Sequence, residues 1–199
     1  LSKSFLFFEK RKSRMSKSKP KSGSILIAKP FLGDPNFERT VVLICEYQEH
    51  GTFGLVLNQT TNLHLSDVLD DIYAGDIPLF IGGPVEQNTL HFVHRMGALI
   101  PGSIQLQEGL YWGGDFDVVK SLLNTGQLPI QNIRFFLGYS GWSPGQLDAE
   151  IARDTWIVTE CNTNVLFDTQ PGDLWRTILR DMGGEYRVIA NYPIDPRLN

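Results

Sequence analysis

Apolar positions along this chain fall into short runs that are bounded by glycine, proline and small polar residues. "SILIAK" (24–29) and "TVVLICEY" (40–47) are continuous, rich in Val, Ile and Leu, and predict strands buried on both faces. Between them "PFLGDPNFER" is a loop, because Pro30, Gly33 and Pro35 break any regular pattern. "QEHGT" turns the chain into "FGLVLN" (53–58), which predicts a hairpin. Ser66 can cap a short helix through Leu69, and "PLFIGG" (78–83) and "TLHFVHR" (89–95) form a strand pair about Gly-Gly-Pro.

The second half alternates strand and helix signals. "IQLQEGLYWGG" is short strand material, after which Asp115 can cap "FDVVKSLLNT", closed by Gly126. A strand at 133–139, a helix over Gln146–Arg153, a strand at 155–160 and a last helix over 173–182 follow. That last helix places Leu174, Ile178 and Met182 on one face and ends at Gly183-Gly184. Together these elements predict an α+β single domain over residues 23–199, with a mixed, mostly antiparallel, twisted sheet and about four helices.

Composition adds a boundary rather than a chemistry. Of 199 residues, 42% are hydrophobic and 20% charged, ordinary for a folded soluble protein, and no apolar run is long enough to span a bilayer. Cys45 and Cys161 lie in apolar runs with no metal-ligand spacing, which points to two small buried residues in a reducing cytoplasm. Charge is divided unevenly. Residues 1–22 carry eight Lys or Arg against one acid, Glu9, whereas the rest carries 10 basic and 21 acidic residues, a balance of −11. An acidic body repels phosphate backbones and argues against direct nucleic-acid binding. The basic segment 1–22 is expected to be disordered. Either Met15 is the natural start, which composition favours, or the segment is a native basic arm.

The candidate chemistry centres on Gly141-Trp142-Ser143-Pro144-Gly145, which fits the G-x-S-x-G of a hydrolase nucleophile elbow. Pro144 removes the backbone N–H that would form half of an oxyanion hole, and all four histidines precede Ser143. A serine nucleophile is therefore rejected. An S-x-x-Q capping box, with Ser143 as cap, Pro144 first in the helix and Gln146 third, accounts for the stretch better. Gly138, Gly141 and Gly145 then leave backbone accessible around Tyr139 and Trp142, either as a packed loop or as a site for an anion or a partner's carboxylate.

Two further stretches carry candidate ligand contacts. In "GDPNFERT" (33–40), Asp34, Glu38 and Arg39 suit ligand binding, or else an Asx turn held by an Arg39 ion pair. Gly82-Gly83-Pro84 could admit a ligand to the backbone, or simply turn between strands. His91 and His94, three apart in a strand, point to opposite faces and make a poor metal pair, and each reads as surface or half-buried. No metal or cofactor is expected. The candidate binding set is Asp34, Arg39, Gly82, Gly83, Tyr139, Trp142 and Gln146.

In order, "SILIAKPFLGDPNFERTVVLICEY", "GTFGLVLNQ", "FIGGPVEQNTLHFVH", "GYSGWSPGQLDAEI" with Trp156, "DLWRTIL" and "DPRLN" resemble the AlgH/YqgE family of bacterial proteins. The resemblance runs from about Ser24 to Asn199. It implies a single-domain cytosolic α+β protein with a strongly twisted, partly barrel-like sheet. AlgH carries a transcriptional-regulator label from an alginate-production context, but the family supplies no established activity, cofactor or catalytic set to carry over. Tyr47 stands where relatives often have His, and Ser140 where Ala is frequent. The expected function is non-enzymatic binding of a small ligand or protein partner in a regulatory role. The alternatives are a transcription-linked regulator, acting on DNA directly or through a partner, and an enzyme with a site near Asp34, Glu38 and Arg39.

Overall fold

The structure is a computed structural model that describes residues 19–193. The Met15 start and the "DPRLN" motif lie outside the described residues, as does most of the segment expected to be disordered. The last residues of that segment are described. Pro20 is buried, and the Lys21 backbone N–H donates to Ser24 Oγ at 3.1 Å.

Among the described residues ten strands are interspersed with helices. β1 (Ile25–Ala28), β2 (Val41–Gln48) and β3 (Gly51–Val56) form an antiparallel meander, with the expected hairpin between β2 and β3. β4 (Thr60–His64), β5 (Pro78–Ile81), β6 (Val85–His94), β7 (Ile104–Gln107) and β8 (Leu110–Trp112) precede α1 (Phe116–Asn124). Then come β9 (Ile133–Trp142), α2 (Gln146–Ala152), β10 (Trp156–Thr159), α3 (Thr163–Asp168), α4 (Pro171–Met182) and α5 (Gly184–Ile189). Asp115 caps α1 as predicted, accepting from the N–H groups of Asp117 and Val118 at 3.0 and 3.2 Å.

Four local expectations change. The helix expected from Ser66 is one 3₁₀ turn, Leu65–Asp67, closed by the His64 N–H donating to Asp67 Oδ2 at 2.7 Å. β4 is polar, "TTNLH", so its sequence carried no alternating signal. α3 and α5, six residues each, are too short for a clear helical period and raise the α-helix count among the described residues to five. α4 starts at Pro171, whose missing N–H is harmless in a first turn.

The strands pair in the order β10-β1-β2-β3-β9-β6-β8-β7, with β5 parallel to β9 and β4 on β5. The sheet is mixed and mostly antiparallel but open, which corrects the partly barrel-like sheet implied by the resemblance: it is not closed into a barrel. Among the described residues no ladder joins the terminal strands β7 and β10. Where they approach, side chains take the place of a ladder, and the pairing of β7 with β8 shifts register between Gln105 and Gln107. Gln107 Nε2 donates to the Cys161 carbonyl at 2.8 Å and to Thr163 Oγ1 at 3.0 Å, while Thr163 Oγ1 donates to the Glu108 carbonyl at 2.9 Å.

Both faces of the first strands are buried, as their continuous apolar runs require. Ile25, Ile27, Leu43 and Leu55 pack with Phe136 against Leu174, Trp175 and Ile178 of α4. On the other face Leu26, Val42, Ile44 and Val56 meet Trp142, Trp156 and the Leu147 and Ile151 side of α2. A further cluster joins Leu79, Phe92 and Phe135 to Val119 and Leu123 of α1.

β9 is the centre of this arrangement, pairing with β3, β5 and β6. It changes partners at Gly138, whose φ is 67°. A Cβ on Gly82 would lie 2.2 Å from the Gly138 carbonyl oxygen, and one on Gly83 2.3 Å from the Tyr139 carbonyl oxygen. Gly82→Ala and Gly83→Ala should therefore each destabilise by more than about 3 kcal/mol, since backbone cannot yield as a side chain can. Gly145→Ala, with φ 71° but nothing within 4 Å of its Cβ, should lose only about 1–2 kcal/mol. Urea unfolding midpoints at unchanged slope check the contrast.

Candidate functional site

The residues singled out from sequence occupy three settings. Ser143 is exposed, and among the described residues no hydrogen bond joins its hydroxyl to a histidine or carboxylate. Half of the expected capping box is present: the Ser143 N–H donates to Gln146 Oε1 at 3.0 Å. The other half is not, because the Gln146 N–H donates to the Ser143 carbonyl at 3.0 Å instead of to its hydroxyl. Residues 143–146 form a turn, Gly145 takes the left-handed conformation, and α2 begins at Gln146 rather than at Pro144.

Trp142 faces inward instead of forming a surface wall. It is 6% exposed, and its ring lies 6.2 Å from Phe37 and 6.0 Å from Trp156. Its Nε1–H and that of Trp156 both donate to Glu150 Oε2, at 2.9 and 2.8 Å, and Gln146 Nε2 donates to Glu150 Oε1 at 2.9 Å. One carboxylate on α2 thus fastens the helix to two strands. Glu150 is a residue that the sequence reading missed, although its place eight after Trp142 and six before Trp156 is visible in hindsight.

The 33–40 loop meets Trp142 through Phe37, but across a packed interior. Asp34 Oδ1 accepts from the Asn36 backbone N–H at 2.9 Å, the Asx turn that was expected. The alternative Arg39 ion pair is absent: among the described residues no hydrogen bond or ion pair joins Arg39 to Asp34 or Glu38. Arg39 lies 4.8 Å over the Trp175 ring and donates to the carbonyls of Tyr192, at 2.7 Å, and Pro193. Burial lowers its pKa, with the charge of Arg176 adding to the effect. Gly82 and Gly83 are buried, and Ser140 Oγ donates to the Gly82 carbonyl at 3.1 Å. Tyr139 stacks on Phe53 at 4.6 Å. The 33–40 loop thus meets Trp142 through Phe37, and Gly82-Gly83 meets Tyr139, both through packed contacts rather than across an open surface.

The histidines also separate. His91 is half-buried against Phe53 and Tyr139, and burial lowers its pKa. His94 is fully buried, contrary to the surface or half-buried expectation for it, and stacks on Tyr111. The Met96 N–H donates to His94 Nδ1 at 3.1 Å, so the ring proton sits on Nε2, 3.0 Å from the Gly113 carbonyl. Burial lowers its pKa as well, consistent with that neutral form. Among the described residues no group of three His, Cys, Asp or Glu could hold a metal.

Smaller hollows lie beside Tyr192 and Pro193 and beside Gly145 and Asp148, and a more polar one lies at the seam between the two ends of the sheet. A cleft of about 670 Å³ is lined by Arg95, Gln107, Glu108, Glu160, Cys161 and Thr163, with Asn162 and Asn164 alongside. Residues 107–109 come from the β7–β8 turn and 160–164 from the β10–α3 connection, so the cleft exists only once the terminal strands approach. Charges of both signs line it. Burial pushes the Cys161 thiol up to about 11, the nearby Asp181 adding to the shift, so at neutral pH the sulfur is protonated and a poor nucleophile. No sequence spacing signalled this site, because its two halves lie some fifty residues apart on connecting segments.

Two outcomes test this geometry. Glu150→Ala should destabilise by about 2–4 kcal/mol, since two indole donors lose one acceptor, and Glu150→Gln by less, read as urea midpoints. Alkylation of Cys161 in a Cys45→Ala background should have a pH midpoint near 11, where an ordinary thiol has 9.0. At pH 8 its rate should then be about a hundredfold below that of an exposed thiol.

The chain matches the AlgH-like family over residues 25–187. A UPF0301 protein of Cytophaga hutchinsonii is 47% identical over 178 residues, covering 89% of this chain and 98% of that protein. One from Chlorobium luteolum is 43% identical over 178 residues, covering 89% and 94%. Among solved structures, the AlgH protein of Pseudomonas aeruginosa is similar with a TM-score of 0.69 at 28% identity, covering 90% of this chain and 98% of that one. Protein DIP2367 of Corynebacterium diphtheriae shares the fold, with a TM-score of 0.76 at 23% identity, covering 89% and 95%. Sequence and fold agree over nearly the full length of these proteins, and the chain belongs to the AlgH-like family.

Proposed function

We propose that this protein is a non-enzymatic cytoplasmic regulator, one domain over residues 23–199, that binds a small polar ligand in the seam cleft and presents the occupied state to a partner. The cleft itself carries this reading. It is concave, it draws residues from both ends of the sheet, and it holds convergent polar groups of both charge signs. A ligand bridging residues 107–109 and 160–164 would strengthen a junction otherwise held by a few side-chain hydrogen bonds, which links occupancy to the relative position of β7 and β10. The protonated Cys161 thiol supports binding over covalent chemistry there. The −11 balance of residues 23–199 supports a ligand or protein partner over a phosphate backbone.

The test is amide NMR of the protein with pooled polar metabolites. Saturable shifts concentrated at residues 107–109 and 160–164, with the added compound recovered unchanged, are expected. Shifts confined to other surfaces, or conversion of the compound, overturn the reading.

A further inference from the structure

Charged groups of both signs surround the cleft, and not all of them are paired. Arg95 follows β6, and its Nη2 donates to Asp168 Oδ1 at 2.6 Å while its guanidinium lies 4.5 Å over the Phe167 ring. Arg134, on the adjoining strand β9, lies 5.6 Å from the same ring. Its bonds go to backbone carbonyls: Phe167 at 2.9 Å, and Thr169 and Leu57 at 3.4 Å. Two cations thus flank Phe167 against one carboxylate, Asp168, which is itself 62% exposed. The excess positive charge sits in partly desolvated surroundings, where burial and the neighbouring Arg95 lower Arg134 to about 10. Arg95 Nε is buried with no hydrogen-bond partner among the described residues. That Nε is out of a ligand's reach, but among the described residues Arg95 Nη1 makes no hydrogen bond, and with the side chain 20% exposed the guanidinium can receive a further carboxylate.

Two acids, Glu108 and Glu160, share the lining with Arg95. Glu160 is paired with Lys21 at 2.7 Å, but among the described residues the Glu108 carboxylate has no hydrogen-bond or ion-pair partner. A phosphate dianion or polyanion entering toward Arg95 would meet both acids, and a simple cation would meet Arg95. A molecule carrying one carboxylate and one ammonium suits both the free donors of Arg95 and the unpaired Glu108 carboxylate, and the Asn162 and Asn164 amides of the same lining offer it further hydrogen bonds.

We infer that the seam cleft takes a small zwitterion of the amino-acid class, its carboxylate on Arg95 and its ammonium on Glu108. This inference rests on the cleft being the ligand site, as proposed above. It gives Asp168 a defined role, that of an internal competitor which occupies part of Arg95 when no ligand is bound.

Titration of the protein with glycine, 4-aminobutyrate and 6-aminohexanoate, alongside butyrate and butylamine, tests it by NMR shifts of residues 107–109 and 160–164. At least one zwitterion should bind about tenfold or more tighter than either monofunctional compound, a difference of about 1.4 kcal/mol. Glu108→Gln should remove that advantage while leaving butyrate binding unchanged. Asp168→Asn should tighten zwitterion and butyrate alike, several-fold, by removing the competitor, a gain that misfolding cannot mimic. Equal binding of butyrate and the zwitterions, or no effect of Glu108→Gln, overturns the inference. If only neutral polar compounds shift these residues, the zwitterion is wrong and the cleft remains a ligand site; if no compound from a broad polar panel does, both fall.

Discussion

The fold depends on a crossing where three backbones come closer than any Cβ permits. Gly82 and Gly83, at the end of β5, press against residues 138–140 of β9, and Gly138 in turn sits 2.6 Å, measured from a hypothetical Cβ, from the Val85 carbonyl. The contact is satisfied as well as tight. The Gly82 N–H donates to the Leu137 carbonyl at 2.8 Å, and the Gly82 carbonyl accepts from the Val56 N–H at 2.8 Å and from Ser140 Oγ. Because no side chain intervenes, β9 can pair with β5 up to Leu137 and with β3 from Ser140, while β6 pairs on both sides of the change. The two regions of sheet, and the clusters on their faces, are held in one arrangement by that exchange of partners.

Much of this was legible in the chain, for identifiable reasons. Continuous Val, Ile and Leu runs announce strands buried on both faces, and β1 and β2 are buried so on both. Asp115 and Gly126 bracket α1 by local chemistry alone. The proline in Gly-Trp-Ser-Pro-Gly told against a nucleophile through a missing N–H, an argument that needs no tertiary information. The same stretch misled in one respect. Glycine beside an aromatic residue suggested exposure, whereas Trp142 is packed and donates to Glu150. Local sequence specifies that an indole needs an acceptor but not which side of the sheet it faces.

The cleft was illegible because it is a property of the sheet's ends. Residues such as Cys161-Asn162-Thr163-Asn164 read as a polar connection, and Glu108-Gly109 as a turn. They meet because the edges of an open sheet come close without pairing. A closed barrel would have consumed these carbonyls and amides in a ladder. Without that ladder they are left to side chains, and with them a polar hollow at the junction. The partly barrel-like sheet that the resemblance implied is not formed, and the open edges left in its place border the candidate site.

The Arg39 clamp has a consequence for how the molecule is made. Its guanidinium spans 153 positions to reach the Tyr192 carbonyl, β1 waits for β10 to complete its outer edge, and Trp175 Nε1 reaches back to the Ala28 carbonyl at 2.8 Å. Early strands are therefore sealed by late residues. On the ribosome, β1 and β2 emerge with apolar faces that no local element can cover, and they keep an open edge until nearly the whole chain has been synthesised. Such long sequence separations slow folding and extend the time in which an unpaired edge can meet another chain.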